Sequence, residues 1–472
     1  MKKLWIGSKM RPLAEPLVKT IPRLADLGDA ISETSVIKYE GRITAVKGLL
    51  IEASGPSHAM ALGARAVVEA AQGPARLEIV GYRDNHALLM PFETVEGLRA
   101  GARLTFEASS PMISPSAAWL GRVVDAFGAP VDGGPPVSAG SQPRLVRAIP
   151  PPAHTRARVG ARMETGLRAL DAFCALCAGQ RMGIFAGSGV GKSVMMSQLA
   201  RGAAADVVVI GLIGERGREV KEFVEDTLGV EGLRRSVVVV ATSDESSLKR
   251  RQAAYTTLAI AEYFRDQGQH VLCLLDSVTR FAMAQREIGL ATGEPPTTKG
   301  YTPTVFAELP KLLERAGPGA ATASGMTGAI TGLFTVLVDG GDHDEPVADA
   351  VRGILDGHLV LERAIAERGR YPALNILKSV SRLMPDCHSL EEQVLVRDAK
   401  RALANFADME ELIRLGAYRR GADPATDRAI DLAEPLDAFL NQAKDERSGF
   451  DDTFARLRDI LAGGPVAATA AS

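Results

Sequence analysis

Residues 185–193 read Phe-Ala-Gly-Ser-Gly-Val-Gly-Lys-Ser, and this stretch decides the fold of the chain. Residues 181–185 before it predict a short buried strand, and residues 194–200 after it predict the start of a helix. A strand, a glycine-rich loop ending in Gly-Lys-Ser and a helix make up the phosphate-binding loop, or P-loop. The stretch therefore predicts an α/β fold with a nucleotide site at this loop.

The loop has a backbone that suits anions. Its glycines let consecutive N–H groups curl around a phosphate, and the helix N-terminus adds partial positive charge. Lys192 is expected to reach the β- and γ-phosphates, and the Ser193 hydroxyl to ligate Mg²⁺. The predicted nucleotide-binding residues here are Gly187, Ser188, Gly189, Val190, Gly191, Lys192, Ser193 and Val194. Ala186 stands where the strict pattern has Gly; the alternative, a chance glycine-rich turn, is disfavoured by the spacing and the flanks.

Composition limits the class of protein. A chain of 472 residues is expected to hold about three domains. The charged fraction of 24% and the hydrophobic fraction of 46% are typical of a soluble protein with a large core. A net charge of −2 and only 5% aromatic residues argue against nucleic acid as a partner. Because we find neither a membrane-spanning apolar run nor a secretory signal, we expect a cytoplasmic protein.

The four cysteines are too few for a disulfide framework, which agrees with a reducing cytoplasm. Cys174 and Cys177 have the spacing of a redox or zinc pair. No second pair lies at zinc-site distance in the sequence, and the flanking Leu170, Phe173 and Leu176 suggest a packed helix face. We therefore expect both cysteines in the core.

Five segments are predicted along the chain: a basic N-terminal extension (1–32), a small β-barrel (33–106), a linker plus core (107–385), a helical C-terminal domain (386–462) and a disordered tail (463–472). The first 24 residues carry six basic side chains and one acidic one. Such an extension suits docking on a partner protein or an acidic membrane, and the alternative is a poorly ordered end. Short alternating segments separated by turns predict the barrel.

The core segment alternates apolar strands with helical patterns. The apolar runs are residues 206–213, 236–242 and 270–276, and the helical patterns are 219–228, 246–267 and 279–289. Such runs suit parallel strands that are buried on both faces. We therefore predict a doubly wound, mainly parallel sheet whose ligand lies at the carboxyl ends of the strands.

Two of these strand ends carry acidic residues. Asp276 ends the third run and is expected to hold Mg²⁺, while a cap for the following helix is the alternative. Glu215 follows the first run and is expected to align and polarise an attacking water, while a solvated loop carboxylate is the alternative. With Lys192 and Ser193, these residues predict a site for phosphoryl transfer.

Several separated motifs resemble one family, in the same order along the chain. They are residues 186–193, 214–219, 274–280, 299–304, 314–317, 371–373 and 379–382. The chain resembles the catalytic ATPases of type III protein export, the flagellar kind in particular, within the family of rotary F- and V-type ATPase subunits. The resemblance implies an N-terminal β-barrel, a RecA-like core and a helical C-terminal domain, with ATP and Mg²⁺ as cofactors.

The resemblance also assigns roles to single residues. It implies that Glu215 is the catalytic carboxylate, with Arg216 beside it, and that Tyr371 packs on adenine. Arg382 resembles an arginine finger supplied by a neighbouring subunit, the alternative being a surface arginine in an ion pair. Tyr418 is expected to close the adenine pocket. The predicted catalytic residues are thus Lys192, Glu215, Arg216 and Arg382.

Because Glu215 and Arg382 lie on one chain, a ring of identical subunits completes every site, and a homohexamer is implied. The implied partners are a regulatory, stator-like protein at the N-terminus, export chaperones and substrates, and an export gate at the cytoplasmic face of the inner membrane. The expected function is Mg-dependent ATP hydrolysis that energises export of flagellar proteins. The alternatives are an injectisome ATPase, a proton-coupled rotary ATPase subunit, an RNA-translocating hexamer and a scaffold that binds nucleotide without hydrolysis.

Overall fold

A computed structural model of the chain describes residues 38–107, 111–320, 327–338 and 345–463. The predicted basic extension and all but the first residue of the predicted tail lie outside these residues. Within them, no helix has the length and apolar character needed to cross a membrane.

Six antiparallel strands close into a barrel at the start of the described chain, as predicted. Their bounds are Tyr39–Lys47 (β1), Leu50–Ser54 (β2), Arg65–Ala70 (β3), Gly73–Arg83 (β4), His86–Pro91 (β5) and Arg103–Phe106 (β6). Alternate residues of these strands, such as Leu77 and Ile79, point into an apolar interior. The barrel closes in the order β1-β2-β5-β4-β3-β6, so no strand is left with a free edge.

A nine-stranded, mainly parallel sheet forms the centre of the molecule. Its strands are Arg122–Val124 (β8), Arg181–Ala186 (β12), Val207–Glu215 (β13), Ser236–Thr242 (β14), His270–Asp276 (β15), Gly317–Pro318 (β16), Ala329–Leu337 (β17), Gly357–Leu361 (β18) and Val380–Ser381 (β19). The order is β19-β18-β12-β17-β15-β13-β14-β8, and β16 pairs with β17. One strand, β17, therefore separates β12, which precedes the P-loop, from β15, which ends in Asp276.

Short strand pairs and helices complete the core. The pairs join Met112–Ile113 (β7) to Arg144–Leu145 (β9), and Arg162–Met163 (β10) to Leu176–Cys177 (β11). The helices are Arg168–Phe173 (α1), Lys192–Gly202 (α2), Gly217–Glu222 (α3), Gly229–Arg234 (α4), Ser247–Asp266 (α5), Val278–Thr292 (α6), Pro303–Leu313 (α7), Pro346–Ile354 (α8) and Arg363–Glu367 (α9). Most of α5 is buried against the sheet, which accounts for its long apolar pattern.

The C-terminal region is helical, as predicted, with helices at Leu390–Arg414 (α10), Pro424–Leu440 (α11) and Phe450–Leu461 (α12). A break separates α11 from α12. The buried Gln442 lies in the break, where its side-chain amide donates to the carbonyl oxygens of Gly166 and Glu446. These bonds hold the chain out of the helix, which apolar periodicity alone does not reveal.

The barrel is joined to the core by buried charges. Glu78 of β4 accepts hydrogen bonds from Arg251 of α5 at 2.5 Å and from Arg147 of the linker at 3.1 Å. Beside them, Phe92 packs against Leu248 and Ile288 of the core in one apolar cluster. Charged and apolar contacts together fix the barrel against the sheet domain.

The cysteine pair differs in part from expectation. Cys174 and Cys177 are both buried and unbonded, as expected of core residues. They do not lie on one helix face, because α1 ends at Phe173 and Cys177 belongs to β11. The apolar neighbours of the two cysteines belong to the short helix α1 and to strand β11. The prediction that they form one helix face was therefore wrong.

Candidate functional site

The P-loop links β12 to α2, as the sequence predicts. Gly191 precedes the helix with φ = 84°, a left-handed conformation that favours glycine. Val190 is buried, whereas Ser188, Gly189 and Ser193 are exposed. The loop thus presents its backbone and the first turn of α2 to solvent, where a phosphate group can enter.

Lys192 reaches from α2 to the carboxyl end of β15. Its Nζ lies 2.5 Å from Oδ1 of Asp276, and the same oxygen accepts a 2.6 Å hydrogen bond from the Thr335 hydroxyl. Thr335 is fully buried on β17, the strand that lies between β12 and β15. The cap of α6 is Ser277, whose hydroxyl accepts from the Arg280 N–H, so the structure gives the helix-cap role considered for Asp276 to its neighbour.

Glu215 lies on the other side of the same lysine. Its Oε1 is 3.9 Å from Lys192 Nζ, and its side chain is 16% exposed. Burial and the nearby Asp276 raise the pKa of Glu215, while Lys192 and Arg280 oppose this shift. Within the described residues, Oε1 is buried and accepts no hydrogen bond. Glu215 is therefore an enclosed carboxylate with a free acceptor atom rather than a solvated loop residue.

Two arginines near Glu215 differ from the sequence expectation. The guanidinium of Arg216 pairs with Glu219 at 3.0 Å, and the Arg216 side chain is 79% exposed. Arg280 stacks its side chain against the Gly214 backbone, and its Nε is buried without a hydrogen-bond partner in the described chain. Sequence reasoning matched the segment that ends at Arg280 but gave this residue no role; its position four residues after Asp276, one helical turn on, was the available signal.

The oxygen atoms at this site suit Mg²⁺. Ser193 is exposed on the first turn of α2, and Asp276 ends the strand that faces it. In the part of the chain that the structure describes, no group of three or more His, Cys, Asp or Glu residues is arranged to hold a metal ion. In phosphoryl-transfer enzymes, however, one or two protein oxygens hold Mg²⁺ together with substrate phosphates and water. A hydroxyl and a carboxylate next to a phosphate loop fit that mode.

Tyr371 lies beside the P-loop helix. Two ring carbons would stand 3.2 Å from a Cβ at Gly191, so the ring packs on the loop backbone. A cavity of about 320 Å³ adjoins it, and Val194, Met195 and Gln442 line its other walls. Tyr371 is 42% exposed, so part of this residue is open to a ligand.

Tyr418 belongs to a different local structure. Its hydroxyl contacts the Asp423 carbonyl and the Asp427 carboxylate, both at 3.0 Å, near the start of α11. It does not line the cavity beside Tyr371. The structure thus places Tyr371, but not Tyr418, at the P-loop.

Arg382 lies at the opposite end of the sheet from its own P-loop. It directly follows β19, and its N–H donates to the Asp356 carbonyl, while the Asp356 N–H donates to the carbonyl of Arg181, the first residue of β12. The P-loop follows the last residue of that strand, roughly 16 Å away at about 3.3 Å per residue. The side chain is exposed, and no carboxylate within the described residues pairs with it. Arg382 therefore faces outward, where a neighbouring molecule can meet it.

Comparison with known proteins agrees with this architecture. The ATP synthase alpha/beta family nucleotide-binding domain matches residues 166–381, which contain the P-loop, Glu215, Asp276 and Tyr371. The C-terminal domain of the type III secretion ATPase EscN matches residues 389–459. The two matches thus divide the chain between the sheet domain and the C-terminal helices.

Relatives match over nearly the whole chain. The flagellum-specific ATP synthase of Caulobacter vibrioides is 60% identical over 92% of this chain and 98% of its own length. The type 3 secretion system ATPase of Xanthomonas euvesicatoria is 43% identical over 95% of this chain and 99% of its own. The assembled ATPase EscN of enteropathogenic E. coli, solved with its central stalk EscO, has a TM-score of 0.81 at 39% identity, covering 89% of this chain and all of that one. The chain belongs to the flagellar and type III secretion ATPases of the ATP synthase alpha/beta family.

Proposed function

We propose that this protein hydrolyses ATP with Mg²⁺ in a homohexameric ring and so energises type III export of flagellar proteins. The observation that carries the proposal is the position of Lys192, which lies on the P-loop within 2.5 Å of Asp276 and 3.9 Å of Glu215. On this proposal, a phosphate-binding cation, a metal-binding carboxylate and a base surround one point. A scaffold that only binds nucleotide does not need the third of these.

The residues divide the chemistry between them. Lys192 exchanges Asp276 for the β- and γ-phosphates when nucleotide enters, and the P-loop N–H groups bind the same charge. Ser193 and Asp276 would hold Mg²⁺, which would supply positive charge to neutralise the phosphates. Glu215 orients the attacking water through its free Oε1, and its raised pKa makes it a stronger base than an exposed carboxylate.

Contacts to adenine and an arginine finger complete the proposed site. Tyr371 stacks on adenine through its exposed part, whereas the contacts of Tyr418 support a role in the α10–α11 turn, so its proposed place in the pocket requires movement of that turn. Arg382 serves the site of the neighbouring subunit, because it lies too far from its own P-loop. A catalytic role for Arg216 beside Glu215 stays a prediction. The exposed ion pair of Arg216 with Glu219 does not support it.

The ring and its partners are inferred from relatives. The E. coli relative is described as assembled and in complex with a central stalk, which supports a ring with a stalk-like partner here. The regulatory partner at residues 1–32, the export chaperones and substrates, and the export gate remain proposals, as do cytoplasmic location and docking at the inner membrane. The segment limits at 32, 106, 385 and 462 also stay predictions.

Three alternatives keep lower rank. Injectisome secretion fits the same geometry, but the 60% identical relative carries a flagellar name. An RNA translocase needs exposed aromatic residues on the barrel. Of its four aromatics, Phe92 and Phe106 are buried, which leaves Tyr39 and Tyr82. The proton-coupled rotary subunit requires a second, noncatalytic homologue in a stable mixed ring.

The test replaces Lys192 with Ala at the native gene. We expect flagellar proteins to disappear from the medium, because the phosphates lose the lysine ammonium that binds them. Lys221→Ala is the matched control, since Lys221 is an exposed lysine that pairs with Glu225. Continued flagellar export in Lys192→Ala cells would contradict the proposal, and selective loss of injectisome substrates would favour the virulence-type alternative.

A further inference from the structure

Residues 362–371, here called the strap, touch the P-loop at two points. At one end, Nη2 of Arg363 donates a 3.1 Å hydrogen bond to the carbonyl oxygen of Ser188. At the other end lies Tyr371, whose ring packs on Gly191. The strap therefore follows the P-loop from its tip to the start of α2.

The hydrogen bond from Arg363 to the Ser188 carbonyl constrains the direction of the Gly189 N–H. The Ser188 carbonyl and the Gly189 N–H belong to one planar trans peptide unit and point in opposite directions. A P-loop binds phosphate by turning its N–H groups toward the anion. Gly189 has φ = 77°, and glycine changes conformation at little cost, so this peptide can rotate unless something holds it.

The strap is itself fixed to the C-terminal helices. The Tyr371 N–H donates a 3.0 Å hydrogen bond to the side-chain oxygen of Asn441, directly after α11. Arg370 pairs with Asp437 of α11 at 3.5 Å. Because the strap is anchored on this side, Arg363 starts from a defined position.

We propose that Arg363 is a positioning residue for the nucleotide phosphates: by holding the Ser188 carbonyl outward, it aims the Gly189 N–H at the bound anion. The inference rests on the proposed phosphate role of the P-loop and adds a residue to it. The N–H serves substrate and transition state alike, so its loss raises KM and the Kd for nucleotide while kcat changes little.

The experiment compares binding of MgADP and adenosine by calorimetry in the full-length protein. For Arg363→Ala we expect the Kd for MgADP to rise about 3- to 10-fold, as for one exposed, charge-assisted hydrogen bond. The Kd for adenosine stays unchanged, since adenosine has no phosphate. Arg368→Ala is the control, because it removes an equal charge from the same strap and leaves the Ser188 contact in place; both Kd values stay at wild type.

Several outcomes overturn the proposal. They are an unchanged Kd for MgADP in Arg363→Ala, an equal loss for adenosine, and an equal loss in Arg368→Ala. A purely long-range charge effect disappears at about 1 M salt, where the Debye length is about 3 Å, whereas a positioned contact keeps its fold-change. Lys192→Ala in the same titration separates the two proposals: if it weakens MgADP binding and Arg363→Ala does not, only the strap inference fails, and if neither does, the P-loop role fails as well.

Discussion

Glu215→Gln and Arg382→Ala subunits, mixed in one ring, should restore ATP hydrolysis that neither variant has alone. The expectation follows from the position of Arg382, at the opposite end of the sheet from Lys192 and Glu215. A site that is completed across a subunit interface needs an intact Glu215 on one side and an intact Arg382 on the other. Mixed rings contain such interfaces, and rings of either parent do not.

The size of the effect follows from counting interfaces. When the two variants are mixed at random in equal amounts, about one quarter of all interfaces in the ring are productive. In these, an Arg382→Ala subunit supplies the nucleotide site and its Glu215→Gln neighbour supplies the arginine finger. The parents are expected to lose about 10²–10⁴ from the missing base and about 10³–10⁵ from the missing finger. Recovered activity near one quarter of wild type is therefore far above either background, and it is highest at equal mixing.

Phosphate release measures the activity, and native mass spectrometry establishes that the rings are mixed. The matched control mixes Glu215→Gln with Lys192→Ala. Both of these residues belong to the site of one subunit, so every interface lacks one of them and no activity should return. Inactive Glu215→Gln/Arg382→Ala rings, or activity in the control rings, would refute the reasoning.

Four further outcomes are expected. Thr335→Val removes the hydrogen bond that fixes Asp276, and turnover at saturating ATP should fall about 10- to 100-fold, since such bonds to charged groups contribute about 1.5–3 kcal/mol. The acid limb of the kcat/KM profile should lie above pH 4.5, because burial raises the pKa of Glu215 and a base acts only when ionised. Arg280→Ala should move that limb further up, as it removes a charge that stabilises the carboxylate; a downward move contradicts the assignment. Deletion of residues 1–24 should reduce co-sedimentation with a partner or acidic vesicles and leave basal hydrolysis unchanged.

Residues whose role depends on one strand end were predictable from the sequence. Asp276 ends an apolar run and Lys192 follows the loop after another, and the carboxyl ends of parallel strands lie at one edge of a sheet. Thr335 was not predictable, because its contact with Asp276 requires β17 to lie between β12 and β15, and strand order is not written in local periodicity. Arg363 was missed for the same reason: its partner, Ser188, belongs to a strand-loop unit 175 residues earlier in the chain.

Where the sequence allowed two roles for one residue, the structure was needed to compare them. The sequence favours a metal ligand at Asp276, with a helix cap as the alternative, and in the structure the hydroxyl of Ser277 caps the helix instead. Arg382 suits a finger and a surface ion pair, and its distance from its own P-loop removes a role within one subunit. In both cases the deciding fact is where a neighbour lies, which composition and spacing do not contain.

The buried contact between Glu78 and the two arginines means that the barrel is not a detachable module. Removing the Glu78 carboxylate alone would leave Arg251 buried and unpaired, and breaking a buried pair in this way costs about 3–5 kcal/mol. A sheet domain prepared without the barrel would lose that carboxylate. It would also expose Leu248 and Ile288, which are covered by the barrel. Evolutionary exchange of this N-terminal domain between relatives must therefore carry Glu78 with it, or replace Arg251 at the same time.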